Sequence, residues 1–236
     1  MSVDRTPRFD VPNYTVAAEL QFPDRATGLP TPRRLPGLSE PDGQGRVEVP
    51  SDEPLIDVQH RRIRVLGNYW HAGWKHAVAT TRLRVGVAER LIEVADALPA
   101  GWGLAVFDAW RPLELQIELY EAAVADPAIV EGFMAPPSTD PLRPPPHLSG
   151  GAVDVTLTYD GTPLGLGTGF DDTTTAAYAA ALEDTPSVAR DLRRFLFHAM
   201  AERDFVVYQG EWWHFEHGTC RWAALTDQPA RYAATS

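Results

Sequence analysis

From about residue 55 onward the apolar positions fall into helical and strand-like patterns. In "TTRLRVGVAERLIEVADALP" (80–99), Leu83, Val87, Leu91, Ala95 and Leu98 recur on one helical stripe, and Pro99 closes the run. "GLAVFDAW" (103–110) is a nearly continuous apolar strand, and "RPLELQIELYEAAVADP" (111–127) opens a second helix at Pro112 and stops before Pro127. "AVDVTLTY" (152–159) alternates as a strand, and "DGT" (160–162) signals a hairpin turn after it. "TPSVARDLRRFLFHAMAERDF" (185–205) predicts a helix capped by Thr185, with Val188, Leu192, Phe195 and Ala199 as its stripe. "FVVYQGEWWHFEH" (205–217) reads as a strand pair or bulged strand. Helices mixed with antiparallel-looking strands predict an α+β fold: a single domain with a mostly antiparallel sheet flanked by helices.

Residues 1–54 break this regularity. They hold nine of the 21 prolines and show little periodicity, and "GLPTPRRLPGLSEPDGQG" (28–45) reads as loop. The expected organisation is a proline-rich arm over 1–54 and a catalytic domain over 55–236. A second proline cluster, six in the twelve residues 136–147, predicts a stiff connector.

Composition and charge narrow the partners. A net charge of −11 disfavours nucleic-acid backbones. No apolar run approaches the roughly 18–20 residues that span a bilayer, so no membrane partner is expected. The start lacks a basic stretch followed by an apolar core, and Cys220 has no second cysteine to pair with. A cytoplasmic location is therefore expected; the oligomeric state is left open.

Seven histidines are present, at 60, 71, 76, 147, 198, 214 and 217. His147 stands out, because Pro145 and Pro146 stiffen its approach and Gly150 and Gly151 allow a tight turn after it. Asp154 then lies inside an apolar strand. It either faces water with Thr156 and Thr158 or is paired or coordinated, because an isolated buried carboxylate is costly. In "GEWWHF" (210–215), strict alternation puts Glu211 and His214 on opposite faces, so a shared site needs a bulge or a strand end. One reading joins both segments. Two imidazoles and a carboxylate, His147, Asp154 and His214, suit one Zn²⁺ with a fourth position open to water. Glu211 would take that water's proton. Arg111, after the strand "VFDAW", either stabilises an oxyanion or pairs with Asp108 or Glu114 at the surface.

These segments together resemble the zinc D-alanyl-D-alanine dipeptidases of the vancomycin-resistance type, within the wider zinc D-Ala-D-Ala peptidase group. The group's pattern H-x-x-G-x-A-x-D followed by E-x-x-H is matched by "HLSGGAVD" (147–154) and "EWWH" (211–214), and "FDAWRP" looks like a further dipeptidase segment. The resemblance covers roughly residues 63–222. It implies zinc on His147, Asp154 and His214, Glu211 as general acid/base and Arg111 as transition-state stabiliser. It also implies Asp171 of "LGTGFDD" as receptor of the substrate ammonium, and Asn68 and Tyr69 of "LGNYW" as pocket residues. The departure is at Pro145 and Pro146, where the family commonly has small hydroxyl residues. The expected activity is zinc-dependent hydrolysis of a short peptide, D-Ala-D-Ala or a related dipeptide. The alternatives are a related hydrolase of a larger cell-wall or specialised-metabolite peptide, and a non-hydrolytic metalloenzyme to which His71, His76 or His217 adds a ligand.

Overall fold

The computed structural model describes residues 8–22 and 32–236, and every structural statement concerns those residues. In chain order the elements are β1 (Val16–Ala17), α1 (Ala18–Gln21), β2 (Leu55–Asp57), β3 (Ile63–Val65), α2 (Asn68–Ala72), β4 (Arg82–Arg84), α3 (Val85–Ala97) and β5 (Trp102–Asp108). There follow α4 (Leu113–Ala125), β6 (Ala152–Tyr159), β7 (Thr162–Gly165), α5 (Val188–Ala201), β8 (Val206–Val207), β9 (His214–Glu216) and α6 (Cys220–Thr226).

The α+β expectation holds, with a mixed sheet. Its order is β1-β7-β6-β5-β3, with β9 joined to β6 and β8 to β9. β1 and β3 enter in parallel, on β7 and β5, while the other pairings are antiparallel. β6 is the hub. One edge pairs with β5 along most of its length; the other is shared between β7 at Thr158–Tyr159 and β9 at Ala152–Asp154. Helices α3 and α5 pack on each other and on the β5–β6 centre. Val153, Val155 and Leu157 of β6 are fully buried beside Leu104 and Val106 of β5. Burying each such side chain contributes about 1.5–3 kcal/mol relative to exposure.

Three sequence expectations shift. Leu83 lies in β4, not in the helix, because Arg82–Arg84 pairs with Leu55–Asp57 and α3 starts only at Val85. Ser187 rather than Thr185 caps α5, accepting the Arg190 amide, so Pro186 stays outside the helix. The buried stripe of α5 accordingly runs through Val188, Leu192, Leu196 and Met200, while Phe195 and Ala199 are only half-buried.

The described residues of the arm hold both regular structure and extended chain. Its loop expectation over 28–31, like residues 1–7 and 23–27, lies outside the described residues. Residues 16–21 contribute β1 and α1, against the expectation of little regularity there. Residues 32–54 run without helix or strand against the domain, where Val47 donates its amide to Leu142 (2.9 Å) and Ser51 to Arg231 (2.8 Å).

His217 is a buried, neutral histidine of this core. Its Nδ1–H donates to the Asp204 carbonyl at 3.0 Å, and its ring packs on Trp222 and Phe205. Its buried Nε2 has no partner. A proton there would be an unsatisfied donor in apolar surroundings, and burial lowers the pKa to about 4 despite the favourable Asp204 carbonyl. An unfolded histidine binds its proton near pH 6.5. The stabilising contribution is thus complete above that value and is lost as pH falls toward 4. Urea unfolding at several pH values should show wild-type stability falling by up to about 3 kcal/mol more than His217→Gln over this window. Parallel curves would rule this out.

Candidate metal centre

The proline connector delivers His147 into a 3-10 turn, His147–Ser149, immediately before β6. Gly150 closes the turn with a left-handed φ of 73°, and a Cβ there would lie 2.5 Å from Leu55. A Cβ on Gly151 would lie 2.7 Å from the His217 carbonyl oxygen. The left-handed backbone therefore requires the first glycine, and the close backbone carbonyl requires the second. The strand then places Asp154 between two neighbours, paired with Asp108 on β5 and with His214 on β9.

His147, Asp154 and His214 converge, all three buried, with ligand atoms within 4.8 Å of one another. His147 Nε2 is 3.2 Å from His214 Nδ1 and 3.4 Å from Asp154 Oδ2; His214 Nδ1 is 2.9 Å from Asp154 Oδ1. With one atom taken from each residue the three lie within 4.8 Å of one another, Asp154 facing His147 with Oδ2 and His214 with Oδ1, and two imidazoles with a carboxylate suit a zinc ion. The distal nitrogens are also held: His147 Nδ1–H donates to the Ala109 carbonyl at 2.6 Å, and His214 Nε2–H to Glu216 at 3.0 Å. The water-facing alternative for Asp154 falls, since Thr156 and Thr158 on the same strand face are buried too.

Electrostatics match this crowding. Burial alone would lower the His214 pKa, but hydrogen bonds to Asp154 and Glu216 push it up to about 10. Burial would raise Asp154, but the adjacent His147 and His214 hold it well below the usual carboxylate range.

Glu211 sits in the turn between β8 and β9, its amide donated to the Tyr208 carbonyl at 3.2 Å. It precedes the strand, so the alternation conflict does not arise. Its carboxylate reaches 3.9 Å from His214 Nδ1. Burial, reinforced by the Asp154 and Glu216 charges and opposed by His214 and Arg111, raises its pKa to about 7. The flanking tryptophans anchor the turn: Trp213 is fully buried and its carbonyl accepts the Val155 amide, while Trp212 Nε1 donates to Thr168.

Arg111 is buried rather than superficial, although it does pair with Asp108, at 2.8 and 3.0 Å. It also donates to Gln116 at 3.0 Å and lies over the Tyr69 ring. Burial would lower its pKa, but Tyr69, Asp108 and Asp154 keep it raised and charged. Asp171 is buried, with a left-handed φ of 57°, and accepts the Tyr69 hydroxyl at 2.9 Å. Burial and the charges of Glu211 and Asp154 raise its pKa well above the carboxylate range. These side chains line a cavity of about 450 Å³, whose remaining wall includes Met134, Pro136, Pro144 and Pro145.

Asn68 does not join this cavity. Its amide turns to the Pro12 carbonyl at 3.1 Å, and its Oδ1 is buried without a partner. His71, His76 and His217 lie outside the cluster; His76 pairs with Glu118. Asp108 and Glu216 are site residues that the sequence reading did not single out. Glu216 was within reach of it: two residues beyond His214 on one strand, it shares that ligand's face.

A family model for D-Ala-D-Ala dipeptidases matches residues 76–232, a span holding His147, Asp154, His214, Glu211, Arg111 and Asp171 but not Asn68 or Tyr69. A D-alanyl-D-alanine dipeptidase of Synechocystis sp. is 31% identical over 176 residues, covering 60% of this chain and 71% of the relative. One from Escherichia coli K12 is 34% identical over 125 residues, covering 52% of this chain and 59% of the relative. Among solved structures, a Zn(II) complex of a variant of the vancomycin-resistance D,D-pentapeptidase VanY aligns at 18% identity and TM-score 0.39, over 65% of this chain and 84% of that one. The D,D-dipeptidase VanXYg bound to a D-Ala-D-Ala phosphinate analogue aligns at 17% identity and TM-score 0.39, over 72% and 61%.

Zinc added to metal-free protein should raise its melting temperature, since binding at 1,000 times Kd stabilises by about 4 kcal/mol. Asp154→Ala should abolish that rise. An undiminished rise in this variant would place the metal elsewhere.

Proposed function

The chain belongs to the D-Ala-D-Ala dipeptidase family, and from that premise we propose that it hydrolyses a short peptide with a free amino end, D-Ala-D-Ala or a close relative, using one zinc ion. The observation that carries this reading is the buried convergence of His147, Asp154 and His214 with Glu211 beside it. When bound, zinc supplies a Lewis acid and a water acidic enough to ionise near neutral pH. Glu211 takes the proton of the attacking water and passes it to the leaving amine, a role suited to a carboxylate with a pKa near 7. Arg111, fixed by Asp108 and Gln116, directs its charge at the oxyanion. Asp171 receives the substrate ammonium, whose charge offsets the burial that otherwise keeps this carboxyl neutral. Tyr69 orients Asp171 through its hydroxyl.

The proline wall favours a second substrate choice within the same chemistry. Pro145 and Pro146 offer neither hydroxyl nor N–H, and 450 Å³ is more room than two alanine residues fill. A dipeptide with a larger apolar residue, or a longer cell-wall peptide, uses that space. No helix among the described residues is long and apolar enough to cross a membrane. We place the enzyme in the cytoplasm, on the strength of its unpaired Cys220.

Zinc-loaded protein should release D-alanine from D-Ala-D-Ala, or cleave a bulkier dipeptide faster, while amino-blocked substrates remain intact. Efficient cleavage of blocked peptides would remove the ammonium role of Asp171. Glu211→Gln should retain zinc but lose roughly 10²–10⁴ in kcat. Near-normal turnover in that variant is the result that eliminates Glu211 as the base.

A further inference from the structure

The Nε2 side of His214 leads into a chain of buried charges that ends in the proline-rich arm. Glu216, 1% exposed, accepts from His214 Nε2 at 3.0 Å, from Arg221 Nη1 at 3.2 Å and from the Thr219 hydroxyl. Arg221, on α6 and also buried, donates to the Val207 carbonyl and to both carboxylate oxygens of Glu40, at 2.6 and 2.9 Å. Its guanidinium lies over the Tyr208 ring, 5.3 Å from the centroid. Glu40 Oε1 also accepts the Gln209 amide at 2.9 Å. Glu40 thus grips both the arginine behind Glu216 and the loop that carries Glu211. Yet it lies 36 residues before the span matched by the family model, which begins at residue 76.

We infer that Glu216, Arg221 and Glu40 form a positioning relay for the metal centre, through which the N-terminal arm sets the orientation of His214 and of the Glu211 loop. None of the three need touch substrate. A histidine ligand whose far N–H is bound to an ionised carboxylate is fixed in tautomer and ring angle and is a better donor. A buried carboxylate needs a cation to stay ionised, and Arg221 is that cation. Arg221 in turn carries more hydrogen-bonding capacity than Glu216 alone satisfies, and Glu40 takes two of its remaining N–H groups while the Val207 carbonyl takes a third. The arm is then part of the active site rather than a cover laid over it. This rests on the reading of His214 as a metal ligand.

The test measures zinc dissociation constants by chelator competition on the full chain at pH 7, beside kcat and KM on a cleaved dipeptide. Glu216→Gln should weaken zinc about 10–100-fold. Glu40→Ala, at a partly exposed position where folding is least at risk, should weaken zinc about fivefold and lower kcat more than KM. Arg34→Ala, which breaks the arm's separate ion pair with Asp184, should change neither. Zinc affinity within twofold of wild type in both glutamate variants overturns the relay, even where their melting temperatures fall. A loss in Glu216→Gln with an unchanged Glu40→Ala overturns the part assigned to the arm. Wild-type protein that binds no zinc refutes the metal reading instead, and wild-type protein that binds zinc but cleaves no peptide leaves the affinity comparison fully decisive.

Discussion

The register between β6 and β9 sets Asp154 directly opposite His214, and the centre depends on that pairing. Side chains on a strand alternate, so a slip of one residue would turn Asp154 out of the cluster and bring Val153 or Val155 in. Several features hold the register. Trp213 is fully buried just before β9, and its carbonyl accepts the Val155 amide. Gly151 sits too close to the His217 carbonyl for any larger residue. β5 pins the opposite edge of β6 and, after a bulge, presents Asp108 beside Asp154.

That geometry concentrates like charges. Asp108, Asp154, Glu211 and Glu216 lie around two histidines, and burial penalises every ionised form. The cations are distributed accordingly: Arg111 on Asp108, Arg221 on Glu216, and a proton or metal between the histidines and Asp154. Among the described residues Asp171 makes no ion pair and Glu211 only a distant one with His214, at 3.9 Å, and these are the carboxyls whose pKa values rise. They are also the two to which the proposed reaction assigns a water and an ammonium.

Much of this was legible in the sequence, for identifiable reasons. Strand alternation found β6, and proline punctuation bounded α4 and the connector before His147. The spacing of histidines, glycines and acids then named the cluster that the fold brings together. What stayed hidden depends on tertiary partners. Leu83 fits a helical stripe, but β2 recruits its backbone into a strand. Asn68 neighbours a cavity residue in sequence, yet its amide is taken by Pro12. Glu40 has no local pattern at all, since its partners Gln209 and Arg221 lie some 170 and 180 residues away. Arg111 illustrates a different limit: it was read either as an oxyanion stabiliser or as a surface partner of Asp108 or Glu114, and the side chain pairs with Asp108 while buried in the cavity wall.

The separation between β6 and β9 also bears on biogenesis. Asp154 and His214 are 60 residues apart in the chain, and helix α5 lies between them. At synthesis rates of about 5–20 residues per second, several seconds pass between the emergence of the first two ligands and the third. During that interval His147 and Asp154 lack the strand that closes the cluster. Metal capture at full affinity therefore follows the docking of β9 on β6, and does not belong to the stage at which only His147 and Asp154 have emerged.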